Sequence, residues 1–256
     1  DPDAPGSSVV TVTVDGAAHR VDADLFRDGL RTIFRKSGRH AFSADLPAAW
    51  QVSRTGLVGA LPDAPGLRVT LGGEPDDFVG AVVQTSAVAR MRISARIEVE
   101  NQNYGAQLCV GVSSVRPPDE PPPDEQAHAA LLVLKRVDDL PRGIQALCRA
   151  GFDRRSLELT GPAPRHWEWG RTLRVEVDYD RRLAQVLYSC SDELTGVELG
   201  RAIVPLAQKM PAGTYLLGLW GTPLRNRWMN ETRFVVHDLT AEIAADGPVE
   251  FVNLPR

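Results

Sequence analysis

The chain has 256 residues, of which 43% are hydrophobic and 24% charged, and its formal net charge is −4. These values are ordinary for a globular protein and exclude a disordered tail, a collagen, a coiled coil and a disulfide-dense miniprotein. No apolar run is long enough to span a membrane, and no basic stripe indicates a dedicated nucleic-acid binder.

The chain opens with a linker followed by a β-hairpin. Residues 1–8 are punctuated by Pro and Gly without an apolar pattern, which is typical of a linker. Because the first residue is Asp1 rather than Met, we expect that a signal peptide, leader or neighbouring domain was removed. Val9–Val14 alternates and ends at Asp15-Gly16, which predicts a two-residue hairpin with a returning strand at Ala17–Val21.

One short helix is predicted after the hairpin. Asp22 or Asp24 can cap it and Gly38 can end it. Its apolar face consists of Leu25, Phe26, Leu30, Ile33 and Phe34. We therefore divide the chain into a linker, an N-terminal hairpin and helix at 9–41, and a β-sandwich at 42–256.

From Trp50 onward the apolar pattern has a period of two, which is typical of strands. Met91–Glu100 alternates most clearly, with apolar residues on one face and charged or polar residues on the other. The predicted strands lie at 67–71, 81–85, 91–100, 106–113, 129–136, 144–149, 156–159, 172–179, 184–189, 215–220 and 234–243. About a dozen short strands and one early helix predict an all-β, antiparallel two-sheet sandwich.

The connections between these strands differ in kind. Residues 116–126 are rich in proline, which lacks the N–H donor of a central strand, so an exposed loop is predicted there. Asp180-Arg181-Arg182 is predicted to be a turn, and Ser191–Gly200 a longer loop.

The three cysteines have no spacing typical of a metal site. Cys109 and Cys148 both lie in predicted strands, so one disulfide could join them. Small buried thiols, Cys190 included, are the favoured interpretation.

Several strand motifs follow one another in a fixed order. They are Arg92–Val99 with Gly105–Leu108, Trp169–Asp178 with Gln185–Tyr188, Pro211–Leu219, and Phe234–Thr240. Together they resemble the concanavalin A-like jelly rolls of the laminin-G and glucanase type, over about residues 42–243. The resemblance implies two antiparallel sheets, one of them curved. Many members of this superfamily bind glycans on the concave face or its rim and some cleave them, so the fold leaves lectin and enzyme open.

Glu98 and Glu100 are candidates for a catalytic carboxylate pair. Two residues apart on a strand, they share a face and lie roughly 6–7 Å apart. Glycoside hydrolysis uses such pairs, at about 5–5.5 Å for retention and farther apart for inversion. The resemblance, however, implies Glu-x-Asp-x-x-Glu on a later strand, where this chain has no paired acid. The alternative is a solvated strand face with Arg92 and Arg96 as charge partners.

Glu176, Asp178 and Asp180 also share one strand face. Ca²⁺ takes several oxygen ligands, so these carboxylates could hold it. The favoured alternative is an outward-facing strand that ends in the Asp-Arg-Arg turn, and we therefore predict no metal and no other cofactor.

The segment Trp220–Asn230 is the best candidate for a binding site, because it holds two Trp, two Arg and two Asn. Trp stacks on the apolar face of a sugar ring, and Arg or Asn binds hydroxyls or a carboxylate. The residues expected to contact a ligand are Trp220, Arg225, Asn226 and Trp228, with Arg92, Arg96 and Gln107 from strands. In the alternative, Trp220 belongs to the core and Trp228 plugs one end of the sandwich.

The histidines are weaker candidates. His166 directly precedes Trp167, and a surface role is favoured for it, while the resemblance implies that Trp169 packs. His237 and Asp238 are adjacent in a strand and should point to opposite faces, which argues against a His–Asp dyad. Motifs of serine hydrolases, phosphate loops and dinucleotide sites are absent from the sequence.

These observations leave three functional hypotheses open. The leading one is a carbohydrate-binding, lectin-like domain of a secreted or cell-surface bacterial protein with a glycan or polysaccharide as partner. The second is a glycoside hydrolase or polysaccharide lyase on the same fold. The third is an accessory protein that binds a small non-sugar ligand in the sandwich cavity.

Overall fold

A computed structural model describes most of the sandwich as two layers of strands. The described residues are 9–14, 17–22, 38–40, 50–52, 57–60, 66–71, 78–85, 88–102, 107–114, 128–137, 140–159, 167–221, 232–245 and 249–251. The strands are β1 Val9–Val14, β2 Ala17–Asp22, β3 Gly38–His40, β4 Trp50–Val52, β5 Leu57–Ala60, β6 Leu67–Leu71, β7 Phe78–Thr85, β8 Val88–Gln102, β9 Gln107–Ser114, β10 His128–Val137, β11 Leu140–Ala150, β12 Asp153–Glu158, β13 Thr172–Asp180, β14 Gln185–Asp192, β15 Glu198–Pro205, β16 Gly213–Gly221, β17 Thr232–Ala245 and β18 Val249–Phe251. The predicted helix falls outside these ranges, and they contain no helix long and apolar enough to cross a membrane.

Antiparallel pairing assembles the strands into two sheets, which confirms the predicted all-β antiparallel sandwich. The larger sheet has the order β15-β14-β13-β8-β17-β3-β1-β2, and β6 with β5 is attached along β17. The smaller sheet has the order β12-β11-β10-β9-β16-β7-β18, and β4 also pairs with β7.

The N-terminal hairpin is confirmed and continues the larger sheet. Val14 pairs with Ala17, so Asp15-Gly16 is the two-residue connection between β1 and β2. β1 also pairs with β3, and β3 pairs with β17. The hairpin strands are therefore hydrogen-bonded members of this layer.

Alternation along the long strands explains how the core forms. In β8, Met91, Ile93 and Ile97 are fully buried between the sheets, while Arg92, Ser94 and Arg96 are half-buried on the outer face. Full burial of each such side chain contributes about 1.5–3 kcal/mol. The Tyr188 hydroxyl of the larger sheet donates a hydrogen bond of 3.1 Å to the Leu147 carbonyl oxygen of the smaller sheet.

The predicted loop at Ser191–Gly200 is wrong at both ends. β14 continues to Asp192 and β15 begins at Glu198, so only 193–197 connects them. β15 is an edge strand in the described sheet, where Pro205 can terminate it without breaking a central ladder. Its alternation is interrupted by Gly200, which hid it in the sequence.

The sandwich has two ends that differ in their connections. At the loop end, β8 stops at Gln102 and β9 starts at Gln107, and connections between the sheets run over 72–77, 103–106, 159–171 and 222–231. At the turn end, β7 stops at Thr85 and β8 starts at Val88, and the tight turns β11–β12 and β13–β14 lie there. The connections 115–127 and 206–212 also start and finish at the turn end, and the candidate segment 222–231 starts and finishes at the loop end.

The outer face of the smaller sheet is apolar and largely buried. Cys109, Leu131 and Val133 form a second apolar cluster there with Ala129, and Leu147 packs against it. Beside this cluster, Gly80, Gly218 and Gly111 stand opposite one another on three neighbouring strands. A Cβ added to Gly218 would lie 2.4 Å from the Val79 carbonyl oxygen, so only glycine allows these strands to approach so closely.

All three cysteines are buried thiols outside any disulfide, so the favoured interpretation is confirmed. Cys109 belongs to the outer cluster of the smaller sheet, whereas Cys148 belongs to the main core between the sheets. Burial raises the pKa of the Cys148 thiol to about 11 and that of the Cys190 thiol to about 12.

Candidate functional site

Four polar side chains meet at the loop end of the smaller sheet. We call Gln107, Lys135, Gln145 and Glu158 the loop-end cluster. Lys135 stands opposite Gln107 in the ladder, and its Nζ lies 2.8 Å from Glu158 Oε1. Gln145 Nε2 donates a hydrogen bond to the same oxygen. Glu158 is 52% exposed and Lys135 is 22% exposed, so the cluster offers donors and acceptors to a ligand.

A glycine determines the reach of Lys135. Gly143 has a positive φ of 76°, and a Cβ there would lie 2.5 Å from Lys135 Cε. The bare backbone lets the Lys135 stem lie flat across β11 and reach Glu158 on the next strand. A larger residue would displace the ammonium group from the cluster.

Sheet register brings Trp220 next to this cluster. Trp220 lies between Phe78 and Cys109 on the neighbouring strands, and Gly221 pairs with Leu108, the residue after Gln107. The connection 222–231 thus leaves β16 beside Gln107 and enters the larger sheet at Thr232. Its candidate residues, Arg225, Asn226 and Trp228, lie outside the described part of the chain, as does the side chain of Trp220.

The interior of the loop end contains polar side chains that sequence reasoning missed. Gln102 and Thr232 are opposite each other in the ladder and fully buried. Gln102 Nε2 donates to the Leu134 carbonyl oxygen at 3.1 Å, whereas Gln102 Oε1 and Thr232 Oγ1 make no hydrogen bond in this part of the chain. Buried polar atoms normally have partners, so these two atoms are places where an ordered water can bind. A single Gln or Thr at the end of a strand does not indicate from the sequence that its side chain is buried without a partner.

Arg92 and Arg96 lie on the other side of the sandwich. They point outward from the larger sheet, whereas Gln107 is on the outer face of the smaller sheet. Arg92 Nη2 lies 2.9 Å from Glu176 Oε2, and Arg96 Nε lies 2.9 Å from Glu193. The three expected contacts from strands, Arg92, Arg96 and Gln107, therefore divide between two opposite faces.

Glu193 shows how the arginines on this face are used. Its carboxylate also accepts a hydrogen bond of 2.9 Å from Arg174 Nη2. Desolvation acts to raise the pKa of Glu193, but the hydrogen bonds from Arg174 and Arg96 outweigh it, and the net effect lowers that pKa. Arg96 is committed to this network rather than presented alone to a ligand.

Glu98 and Glu100 are each paired on the same outer face. Arg68 donates hydrogen bonds to Glu100 from two guanidinium nitrogens, which lie 2.7–3.0 Å from the carboxylate oxygens. Glu98 Oε2 lies 3.4 Å from His237 Nε2. Both glutamates are toward the loop end, where β13 begins opposite Glu98.

His237 reaches Glu98 because the strand is irregular. The register of β17 against β8 shifts between Val236 and Asp238, so His237 occupies a β-bulge. The strict alternation used to separate His237 from Asp238 does not hold at a bulge. The sequence gives no sign of this bulge.

The acids proposed as calcium ligands contact arginines and a turn. Glu176 pairs with Arg92, and Asp178 accepts two hydrogen bonds from Arg90. Asp180 Oδ1 accepts a hydrogen bond of 3.1 Å from the Leu183 amide, as the turn interpretation expects. Across the described residues, no three His, Cys, Asp or Glu side chains group as metal ligands would.

The tryptophans before β13 also lie at this end. Trp167 is 1% exposed and belongs to the main core, and Trp169 packs against that core while half-buried. Their rings meet edge to face, with centroids 5.1 Å apart and an interplanar angle of 78°. Trp169 packs as the resemblance implies, and Trp167 is the deeper of the two. His166 lies outside the described residues.

No protein-family model matches the sequence, and no curated protein matches it. Solved structures do match. The GH16 protein of the mixed linkage glucan PUL of Bacteroides ovatus, in complex with its G4G4G3G product, has a TM-score of 0.54 and 10% identity, over 79% of this chain and 98% of its own. Lectin UEA-II complexed with galactose has a TM-score of 0.53 and 12% identity, over 82% and 99%.

A protein of unknown function from Shewanella oneidensis MR-1 has a TM-score of 0.53 and 7% identity, over 91% of this chain and 95% of its own. At such low identity these likenesses show the fold alone. The chain has the concanavalin A-like jelly-roll fold, which lectins and a GH16 glucanase share. The resemblance found in the strand motifs is thereby confirmed.

Proposed function

We propose that this chain is a carbohydrate-binding, lectin-like domain whose ligand sits at the loop end. The observation that carries the proposal is the register of the smaller sheet, which brings Gln107 beside the start of 222–231. Lectin UEA-II, solved with galactose, provides a precedent for sugar binding on this fold.

The chemistry of the loop-end cluster suits a sugar. Its amide, ammonium and carboxylate groups can donate to and accept from neighbouring hydroxyls, while a Trp from 220–230 stacks on the ring. The middle of the same sheet face is apolar and buried, so the ligand is expected at the end of the face. Arg225, Asn226 and Trp228 would complete the site from the connection.

A glycan-array screen followed by titration of the best ligand tests this proposal. Gln107→Ala should weaken binding about tenfold, the loss expected for one hydrogen bond to a ligand. Gln84→Ala is the matched control, because Gln84 is an exposed glutamine on the same sheet at the opposite end. Trp228→Ala should abolish detectable binding.

Three results would contradict the proposal. Equal losses in Gln107→Ala and Gln84→Ala would move the site away from the loop end. Silence of the wild-type protein across the array would favour the small non-sugar ligand instead. A loss of binding on Arg92→Ala or Arg96→Ala alone would move the site to the larger sheet.

A second candidate function is glycoside hydrolysis or polysaccharide lysis at Glu98 and Glu100. The contact between Glu98 and His237 favours it, because an imidazole beside a carboxylate can exchange protons with it. Glu98→Gln and Glu100→Gln should then abolish turnover of a polysaccharide and leave affinity unchanged. Binding without turnover in the wild-type protein would leave the lectin proposal alone.

The proposal extends to location and metal dependence. We place the domain on the surface of a bacterium or in its medium; the preference for Arg over Lys in the sequence supports the bacterial source alone. Fractionation of the source cells tests the location. Binding should also survive EDTA, and a loss there would restore the calcium hypothesis for Glu176, Asp178 and Asp180.

A further inference from the structure

The turn end of the sandwich exposes apolar side chains on two separate turns. Phe152, between β11 and β12, is 72% exposed, and Leu183, between β13 and β14, is 54% exposed. A single exposed apolar residue is ordinary on a protein surface, whereas several that share one surface can mark an interaction site.

Two hydrogen bonds tether both turns to the same point of the chain. Arg155, three residues after Phe152, donates from Nη1 to the Pro205 carbonyl oxygen at 3.1 Å. The Leu206 amide donates to the Ala184 carbonyl oxygen at 2.7 Å, directly after Leu183. The two turns therefore stand side by side on the end of β15 and form one surface.

The two turns themselves carry an excess of positive charge. Segments 149–155 and 180–184 contain five arginines and two aspartates. Asp153 is paired with Arg155 at 2.9 Å, and Asp180 accepts from the Leu183 amide. Arg154 and Arg182 are exposed beside the apolar tips and form no ion pair within the described residues.

We propose that Phe152, Arg154, Arg182 and Leu183, here named the turn-end patch, dock onto an anionic lipid surface. Apolar tips can enter the boundary between headgroups and acyl chains, where they leave water. Arginines beside them then lie at the depth of the lipid phosphates and carboxylates, and each contributes roughly fivefold to partitioning.

An acidic polysaccharide would satisfy the arginines but offers no apolar layer for Phe152 and Leu183. This is why the observations favour a lipid surface. The inference stands apart from the proposed function, because the patch and the loop end lie at opposite ends of the sandwich. A protein docked by the turn end would hold its loop end away from the lipid.

Sedimentation with lipid vesicles tests the proposal on the full chain. The wild-type protein should sediment with phosphatidylcholine vesicles that contain phosphatidylserine and stay in solution with phosphatidylcholine alone. Added salt should release it, because exposed charges are screened. Phe152→Ser and Leu183→Ser should each weaken partitioning about tenfold, and Arg154→Glu with Arg182→Glu should abolish it.

Leu194→Ser is the matched control. Leu194 is 81% exposed in the β14–β15 turn at the loop end, so this variant removes an equally exposed apolar tip from the wrong end. Its partitioning should equal that of the wild type. Thermal unfolding of each variant checks that these surface changes leave the fold intact.

Three results would overturn the proposal. The first is that the wild-type protein does not sediment with phosphatidylserine vesicles. If that protein is retained on a sulfated polysaccharide column, the arginines are assigned to an acidic glycan instead. The second is an equal loss in Leu194→Ser. The third is self-association of the wild type that Phe152→Ser removes while vesicle binding is unchanged, which would assign the patch to a second copy of the chain.

Discussion

Gly218→Ala should destabilise the fold through contact between backbones of neighbouring strands. The added Cβ would lie 2.4 Å from the Val79 carbonyl oxygen and 2.7 Å from Gly80 Cα, whereas ordinary contacts begin at 3.4 Å. β7 and β16 must therefore separate by about 1 Å at this point, which strains the ladder on both sides. We expect this strain and one weakened ladder hydrogen bond together to lower the free energy of unfolding by about 3 kcal/mol.

Gly213→Ala is the matched control, because it makes the same change on the same strand. Its Cβ would meet only Tyr215 Cε2 at 3.8 Å, which is an ordinary contact, so a change under about 0.5 kcal/mol is expected. Urea unfolding followed by tryptophan fluorescence measures both. With an m-value of about 3 kcal/mol/M, Gly218→Ala should lower the midpoint by roughly 1 M. Equal midpoints for the two variants would refute the argument from strand spacing.

Other predictions concern single interactions of the sandwich. Hydrogen bonds from the Thr195 amide hold the pKa of Asp192 below its ordinary value of 3.8, so its stabilising contribution is present above that pH and is lost as pH falls through the lowered pKa. Asp192→Asn should therefore cost roughly 1 kcal/mol at pH 7, and this cost should shrink as the pH is lowered below the ordinary pKa of an aspartate; urea titrations at pH 7 and at successively lower pH check this. Tyr188→Phe should lower the free energy of unfolding by about 1 kcal/mol, because it removes the hydrogen bond to Leu147 that joins the sheets; an unchanged midpoint would count against that bridge. Phe234→Ala should lower the free energy of unfolding by about 3–5 kcal/mol, since the ring is fully buried. Calorimetry measures this loss, and a smaller value would show that the neighbouring side chains collapse into the cavity.

Strand alternation made most of the fold readable from the sequence. Where one face of a strand is buried and the other is wet, the period of two is unmistakable, as in Met91–Glu100. The same rule failed for β15, because an edge strand with Gly200 and Pro205 lacks a clean pattern. It also failed at His237, where one extra residue in a bulge resets the faces.

The candidate site could be predicted only in part, because a local sequence pattern does not show which distant strands pair. Gln107 and Trp220 are far apart in the chain, and only the register of β9 with β16 makes them neighbours. Arg92 and Gln107 are close in sequence but belong to opposite faces of the sandwich. A strand pattern tells which residues share a face, but it does not tell which face of which sheet that is.

The three buried thiols can be used to follow the opening of the fold, because a thiol reacts only once it is exposed. The raised pKa values of Cys148 and Cys190 leave very little thiolate at neutral pH, and burial keeps alkylating reagents away from all three thiols. Cys190 belongs to the larger sheet and Cys148 to the smaller. The time at which each thiol is modified therefore shows when its own sheet becomes exposed. Mass spectrometry of a labelling time course would reveal whether the two layers come apart together or one after the other, without any engineered probe.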